Sequence, residues 1–197
     1  SAGVPRPPRP APPPPPGAPP PRRPPAPRRR GPRARPRATG LVRAALPCSD
    51  QGGLTGELLA ACFAALLHRL TGQDRVAIAV PDGIRGYHVD PGTTPAALAG
   101  GALALPADLG TPLVAFAHNT AVPTVPRAEL HLASTLESGT WYAELRYEPR
   151  LFTADTATRT LSRLRTLAAD AAHDPATPVS RLALLGPEET QRILVEM

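Results

Sequence analysis

The chain has 197 residues, enough for one domain and a tail, and its charge separates the two. The first 40 residues contain 17 prolines, 10 arginines and no acidic residue, whereas the rest contain 12 arginines and 16 acidic residues. The net charge of +6 is therefore +10 in the tail and −4 elsewhere, so the basic character of the protein is a property of the tail. The N-terminus has no apolar signal region and no run approaches 18 apolar residues, so we expect a cytoplasmic protein without a membrane span.

Residues 1–37 form a Pro/Arg-rich segment that holds too few apolar residues to bury a core. We expect a disordered linker with polyproline II character. Two other interpretations stay open. The arginines would suit nucleic-acid phosphates or an anionic surface, although no aromatic residue lies among them for base stacking. The prolines would suit an SH3-like partner.

The remainder begins with a short strand and a long helix. Residues 41–46 are predicted to form a strand that ends at the loop Pro47-Cys48-Ser49-Asp50. Thr55 is the predicted N-cap of a helix that reaches about Thr71. Its apolar residues recur every three to four positions and form a wide stripe, so this helix should be buried.

An apolar run and a weak helix come next. Residues 75–81 are predicted to form a strand that is covered on both faces and closed by the turn Pro81-Asp82-Gly83. Thr94-Pro95 opens a predicted helix to about Leu105, with proline at its first position, where the missing N–H costs nothing. Two consecutive glycines, Gly100 and Gly101, weaken this helix.

The second half predicts three further strands and two helices. Residues 113–118 form one strand, and alternating apolar residues in 130–136 and 141–147 predict a hairpin. The next helix begins near Thr153, and Pro187 begins a short last one. On the long helix, Ala157, Leu161, Leu164, Ala168 and Ala171 are the predicted buried residues, and Arg159, Arg163 and Arg165 the outer row. Helices interleaved with strands indicate an α/β fold with an open mixed sheet and packed helices.

Two segments resemble one known family. Leu58–Gly83 reads LLAACFAALLHRLTGQDRVAIAVPDG, and Leu145–Val195 contains YEPRLF, then DPATPVSRLALL and PEE. Both resemble the C-terminal lobe of condensation domains of nonribosomal peptide synthetases, which belong to the chloramphenicol-acetyltransferase-like acyltransferases. Weaker similarity covers Asp90–Leu98, Thr111–Phe116 with Asn119, and Leu130–Glu137.

The resemblance implies a domain organisation. Residues 1–37 would be a linker, residues 38–185 a partial C-terminal lobe of a CoA-dependent acyltransferase-like fold, and residues 186–197 a short helix bordering an adenylation domain. The stretch between Gly86 and Leu130 is shorter than in the family, where it supplies segments that bridge to the other lobe.

The resemblance also implies which residues should and should not take part in catalysis or substrate binding. The family joins carrier-tethered aminoacyl groups through an amide bond, and its HHxxxDG motif lies in the other lobe. Here the five histidines, at 68, 88, 118, 131 and 173, occur singly, so we predict no catalytic, cofactor-binding or metal-binding residue. The phosphopantetheine of a carrier protein is the only cofactor implied. His118 and Asn119 match the family's acceptor side and are our candidates for substrate-facing residues.

Three functions are compatible with these observations. The first is a catalytically inactive, truncated condensation domain that serves as a structural platform for an adenylation domain. The second is half of a split condensation enzyme that requires a separate N-terminal lobe. The third is binding of nucleic acid or an anionic surface by the tail. For the platform, the predicted interface residues are Leu182, Leu184, Leu185, Ile193 and Leu194.

Overall fold

The computed structural model describes residues 39–49, 54–105, 112–121 and 128–196. The predicted disordered linker over residues 1–37 lies outside these ranges. Within them the chain forms seven strands and four helices. Their bounds are β1 Gly40–Ser49, α1 Gly56–Thr71, β2 Arg75–Val80, β3 Gly83–His88, α2 Pro95–Gly101, β4 Leu103–Leu105, β5 Val114–His118, β6 Leu130–Glu137, β7 Thr140–Tyr147, α3 Ala154–His173 and α4 Pro187–Glu196.

The strands form one mixed sheet in the order β1-β7-β6-β5-β2-β3-β4. β2, β5 and β6 run parallel at its centre, and the outer neighbours pair antiparallel. The predicted open mixed sheet with packed helices is therefore confirmed. The pairing is uneven, because β5 and β6 are in register from Val114 to His118, whereas β5 and β2 share the single pair Ala79 and Ala115.

α1 is the most buried helix. The Oγ1 of Thr55 accepts a hydrogen bond from the backbone N–H of Leu58 at 3.1 Å, and Gly72 ends the helix with a φ of 71°. All residues from Leu58 to Leu67 are buried, because the sheet covers one side of the helix while α2 and α3 pack against it elsewhere. The predicted helix and its cap are confirmed. Fully burying a leucine or phenylalanine side chain contributes about 1.5–3 kcal/mol, so α1 supplies a large share of the core.

α3 packs beside α1 and over β1. Its N-cap is Thr153, and its predicted buried residues, Ala157, Leu161, Leu164, Ala168 and Ala171, are all confirmed. The predicted outer row of arginines is correct only for Arg159, since Arg163 and Arg165 are half-buried. Arg163 is covered because Glu189 of α4 approaches it and forms an ion pair.

Two predicted boundaries are wrong. β1 continues to Ser49 instead of ending at Leu46, and its ladder with β7 shifts register between Ala45 and Ser49. Such an irregularity on an edge strand accommodates a proline, which has no N–H to donate. α2 ends at Gly101, and the residues after it form β4 at the opposite edge of the sheet. The two terminal glycines explain why this helix stops early.

β3 was not predicted from the sequence. Gly83, Gly86 and Arg85 obscure its alternation, yet all six residues of β3 pair with β2 across the turn at Pro81 and Asp82. The hairpin of β6 and β7 is confirmed. Its turn residues Ser138 and Gly139 have φ values of 50° and 79°, both left-handed, as a two-residue turn between right-twisted strands requires.

Candidate functional site

A small pocket lies where the carboxyl ends of β2 and β5 meet the first turn of α1. Its volume is about 140 Å³. We call it the His118 pocket, and it is lined by Gly56, Glu57, Ala60, Val80, Pro81, Asp82, Arg85, Tyr87, Phe116, His118 and Thr120. Ionisable side chains from α1, β3, β5 and the β2–β3 turn therefore share one small space.

His118 is held from several directions. Its Nδ1 lies 2.7 Å from the Oγ of Ser134 on β6, the residue that the parallel ladder places directly beside it. Its ring stacks on Trp141 with 4.5 Å between centroids and 23° between planes. Gly56 packs against its edge, where an added Cβ would lie only 2.7 Å from Cδ2. These contacts define the orientation of the imidazole.

The electrostatics of the pocket favour a neutral imidazole. Burial lowers the pKa of His118, and the carboxylate of Glu57 opposes this shift. Burial also raises the pKa of Tyr87, so the phenol keeps its proton, with Arg85 opposing that shift and Glu57 reinforcing it. Arg85 also donates to Asp82 at 3.1 Å. At neutral pH the pocket thus holds an uncharged imidazole and an uncharged phenol beside the Glu57 carboxylate and the ion pair of Arg85 and Asp82.

The two predicted substrate-facing residues occupy different positions. His118 lines the pocket, whereas Asn119 is exposed and does not belong to the described lining. Asn119 has a left-handed φ of 51°, and its backbone N–H donates to the carbonyl of Ser134 at 2.7 Å. Asn119 therefore helps to turn the chain at the end of β5.

Sequence reasoning missed Ser134 and Trp141. Ser134 is 1% exposed and is the buried polar residue of the described core. A serine among the leucines of a predicted strand was the available signal. It could not be connected with His118 without knowing that β5 and β6 run parallel and in that register.

The other histidines have separate surroundings. The Nδ1 of His68 lies 2.9 Å from the Gln73 carbonyl, and the Nε2 of His131 lies 3.3 Å from the Ala128 carbonyl. Burial lowers the pKa of His131, against its hydrogen bond to Ala128. His88 is exposed beside Asp90, and His173 is exposed at the end of α3. Within the described ranges no three His, Cys, Asp or Glu side chains cluster as metal ligands would.

A larger cleft lies at the other end of the central strands. It measures about 810 Å³. We call it the amino-end cleft, and it is lined by Leu67, Leu70, Thr71, Gln73, Arg75, Val76, Ala77, Pro112, Leu113, Val114, Glu129, Leu130, Phe152, Thr156, Arg159, Thr160 and Arg163. Two of its three arginines are already paired, Arg159 with Asp155 and Arg163 with Glu189.

The predicted interface residues differ in accessibility. Leu182 is only 3% exposed and packs in the core, Leu184 is half-buried against that core, and Leu185 is half-buried. Ile193 lies in α4, where Leu194 is 67% exposed. Of these residues with described side chains, Leu194 offers the most surface to a partner.

Among the described residues, no helix combines the length and apolar character needed to cross a bilayer.

Comparison with known proteins identifies the fold. No model of a known protein family and no curated protein matches the sequence. The structure is similar to the first condensation domain of the CDA synthetase, with a TM-score of 0.58, 19% identity, and 76% of this chain and 48% of that chain covered. It is also similar to the starter condensation domain of rhizomide synthetase RzmA, with a TM-score of 0.58, 14% identity, and 77% and 49% covered.

A third similar structure is the complex of the X-domain and OxyB from teicoplanin biosynthesis, with a TM-score of 0.60, 18% identity, and 78% and 50% covered. The chain spans about half the length of the solved structures it matches. It therefore has the fold of about half a condensation domain of the nonribosomal peptide synthetases. The resemblance to a lobe of the condensation domains, stated from the sequence, is therefore confirmed for the fold.

Proposed function

We propose that this chain does not catalyse amide formation by itself and serves as a structural platform for a downstream adenylation domain of a nonribosomal peptide synthetase. Two observations support the absence of independent catalysis. The sequence contains no HHxxxDG motif, and the chain spans about half of a condensation domain. One of the similar structures is a complex of the X-domain and OxyB from teicoplanin biosynthesis, so binding to another protein has a precedent among these structures.

The observation that carries the platform proposal is the attachment of α4. The guanidinium of Arg163 donates to the Oε1 of Glu189 through Nη2 at 2.5 Å and through Nε at 3.2 Å. Both side chains are largely shielded, with 25% and 18% exposed, so the pair is screened less than a surface pair. This contact anchors the first turn of α4 to α3.

The far end of α4 presents apolar surface. Leu194 is 67% exposed and Val195 is 79% exposed. Burying such side chains against a partner contributes about 25 cal/mol per Å² of apolar surface. A helix fixed at its start and apolar at its end is suited to hold a following domain.

The test compares the adenylation domain encoded downstream, alone and joined to the full chain. We expect the joined protein to show a higher melting temperature for the adenylation domain, and Leu194→Glu to remove that gain. Leu103→Glu is the matched control, since Leu103 is 68% exposed but lies on β4. No gain on joining, or an equal loss with both variants, would contradict the platform.

The second candidate function is half of a split condensation enzyme, and the His118 pocket favours it. A neutral, oriented histidine at the carboxyl ends of parallel strands is a common setting for ligand binding. The test mixes this chain with a separate lobe that carries HHxxxDG and measures amide formation between two carrier-bound aminoacyl groups. Product that depends on both proteins would support this function, and its absence would leave the platform as the better account.

A further inference from the structure

We propose that Ser134 is a positioning residue that holds His118 in its Nε2–H tautomer, so that the His118 pocket offers a neutral N–H donor to the carbonyl oxygen of an amide or thioester ligand. The ligand part of this inference rests on the second candidate function. The tautomer can be measured without any ligand or second lobe, so the two can fail separately.

The direction of the Ser134–His118 hydrogen bond follows from burial. The Oγ of Ser134 is 2.7 Å from Nδ1, and within the described residues it has no other hydrogen-bond partner. If Nδ1 carried the proton and donated, the serine hydroxyl hydrogen would be buried without an acceptor. If the hydroxyl donates to a bare Nδ1, both groups are satisfied, and an unmet buried donor is the costlier arrangement. The neutral ring must then carry its proton on Nε2.

The remaining nitrogen is available for a ligand. Nε2 has no hydrogen-bond partner in the described parts of the chain, while Trp141 stacks on the ring and Gly56 packs against its edge. The charged or titratable groups lining the same pocket are Glu57 on α1, Arg85 and Tyr87 on β3, and Asp82 in the turn. Burial keeps the imidazole neutral despite Glu57. A neutral N–H suits a carbonyl oxygen, which only accepts hydrogen bonds.

Two other histidines provide internal references. A carbonyl can only accept, so His68 must donate through Nδ1–H to Gln73, and His131 must donate through Nε2–H to Ala128. When neutral, His68 should therefore show the tautomer opposite to that of His118, and His131 the same one. One spectrum of the full chain contains both references.

The first experiment is long-range ¹H–¹⁵N NMR on the full chain labelled at histidine, above the pKa of His118. Its signals are assigned by their loss in His118→Gln. We expect a bare Nδ1 and a protonated Nε2 in the wild type. Ser134→Ala should mix the two tautomers of His118 and leave His68 and His131 unchanged, and Ser134→Thr, which keeps the hydroxyl, should restore the wild-type pattern. A protonated Nδ1 in the wild type, or an unchanged tautomer in Ser134→Ala, would overturn the proposal.

The second experiment titrates the leucine thioester of N-acetylcysteamine into the same samples. Binding should move the Nε2–H signal of His118 in the wild type. Because only the Nε2–H form donates to the ligand, the dissociation constant in Ser134→Ala should rise by the factor by which the population of that tautomer falls, about 2-fold if the two tautomers become equally populated. Equal affinity in both proteins, or no shift of the His118 signal up to about 10 mM probe, a concentration that detects millimolar binding, would overturn the ligand class.

Discussion

The His118 pocket and the amino-end cleft lie at opposite ends of the same parallel strands and differ in how their polar groups are used. The cleft is almost six times larger, at about 810 Å³ against 140 Å³, yet two of its three arginines are satisfied by Asp155 and Glu189. The small pocket holds a histidine with one nitrogen engaged and the other unpartnered among the described residues. Volume alone therefore does not identify the site, and substitutions in the two regions should have unequal effects.

The largest expected effect comes from the wall of the small pocket. Phe116→Ala removes a 4% exposed ring that lines the His118 pocket and should lower the free energy of unfolding by about 3–5 kcal/mol. Leu113 lies two residues before Ala115 and lines the amino-end cleft. Leu113→Ala removes a side chain that is 53% exposed and should change the free energy of unfolding by less than about 0.5 kcal/mol. Urea denaturation measures both. Equal losses would show that the two walls are equally packed.

A substitution that fills the space beside His118 should lower the free energy of unfolding by less than Phe116→Ala does. In Gly56→Ala the new Cβ would lie 2.7 Å from Cδ2 of His118, so the ring or the helix must shift, at a cost of about 1–3 kcal/mol. Gly92→Ala is the control, because nothing lies within 4 Å of its Cβ position. Thermal unfolding reports the cost, and the His118 NMR signal reports the shift. An unmoved His118 signal in Gly56→Ala would contradict the described contact.

The two paired arginines of the amino-end cleft should differ in how much they stabilise the fold, because one ion pair is shielded and the other is exposed. Arg163→Gln breaks the shielded pair with Glu189 and should lower the free energy of unfolding by about 1–3 kcal/mol. Arg159→Gln breaks an exposed pair with Asp155 within α3 and should cost less than about 0.5 kcal/mol. Denaturation at two salt concentrations separates them, since only the exposed pair is strongly screened. A larger loss in Arg159→Gln would reverse the assignment.

The smallest expected effect is a pH dependence. Burial lowers the native pKa of His118 and His131 below the ordinary value of 6.5, so the unfolded chain binds more protons. Their contribution to stability is complete above 6.5 and is lost as the pH falls towards the native pKa. The pKa values of Glu137 and Asp174 are also lowered, but these carboxyl groups affect stability only at lower pH, below 4.5 for Glu137 and below 3.8 for Asp174.

No histidine is among the described lining residues of the amino-end cleft, so this cleft should not contribute to the loss of stability that histidine protonation causes. His118→Gln and His131→Gln should each flatten part of the stability change between pH 7 and 5. An unchanged slope in the double variant would exclude both histidines as its source. Unfolding by urea at stepped pH measures the slope.

Local signals explain which parts of this fold could be predicted. α1 and α3 have threonine N-caps and apolar periodicity within one segment, and the β6–β7 hairpin has a two-residue turn, so all three were predicted correctly. β3 and β4 were missed because their partners, not their own residues, make them strands. The contact between His118 and Ser134 depends on a parallel register across 16 residues of sequence, which no local pattern encodes.

The single pair between Ala79 and Ala115 gives the sheet a seam. One leaf contains β2, β3 and β4, and the other contains β5, β6, β7 and β1. α1 contacts both β2 and β5 and so acts as a strap across the seam. We expect the backbone amides of the two leaves to exchange their hydrogens with solvent as two cooperative units. Whether the two units open together should depend on α1, which contacts both.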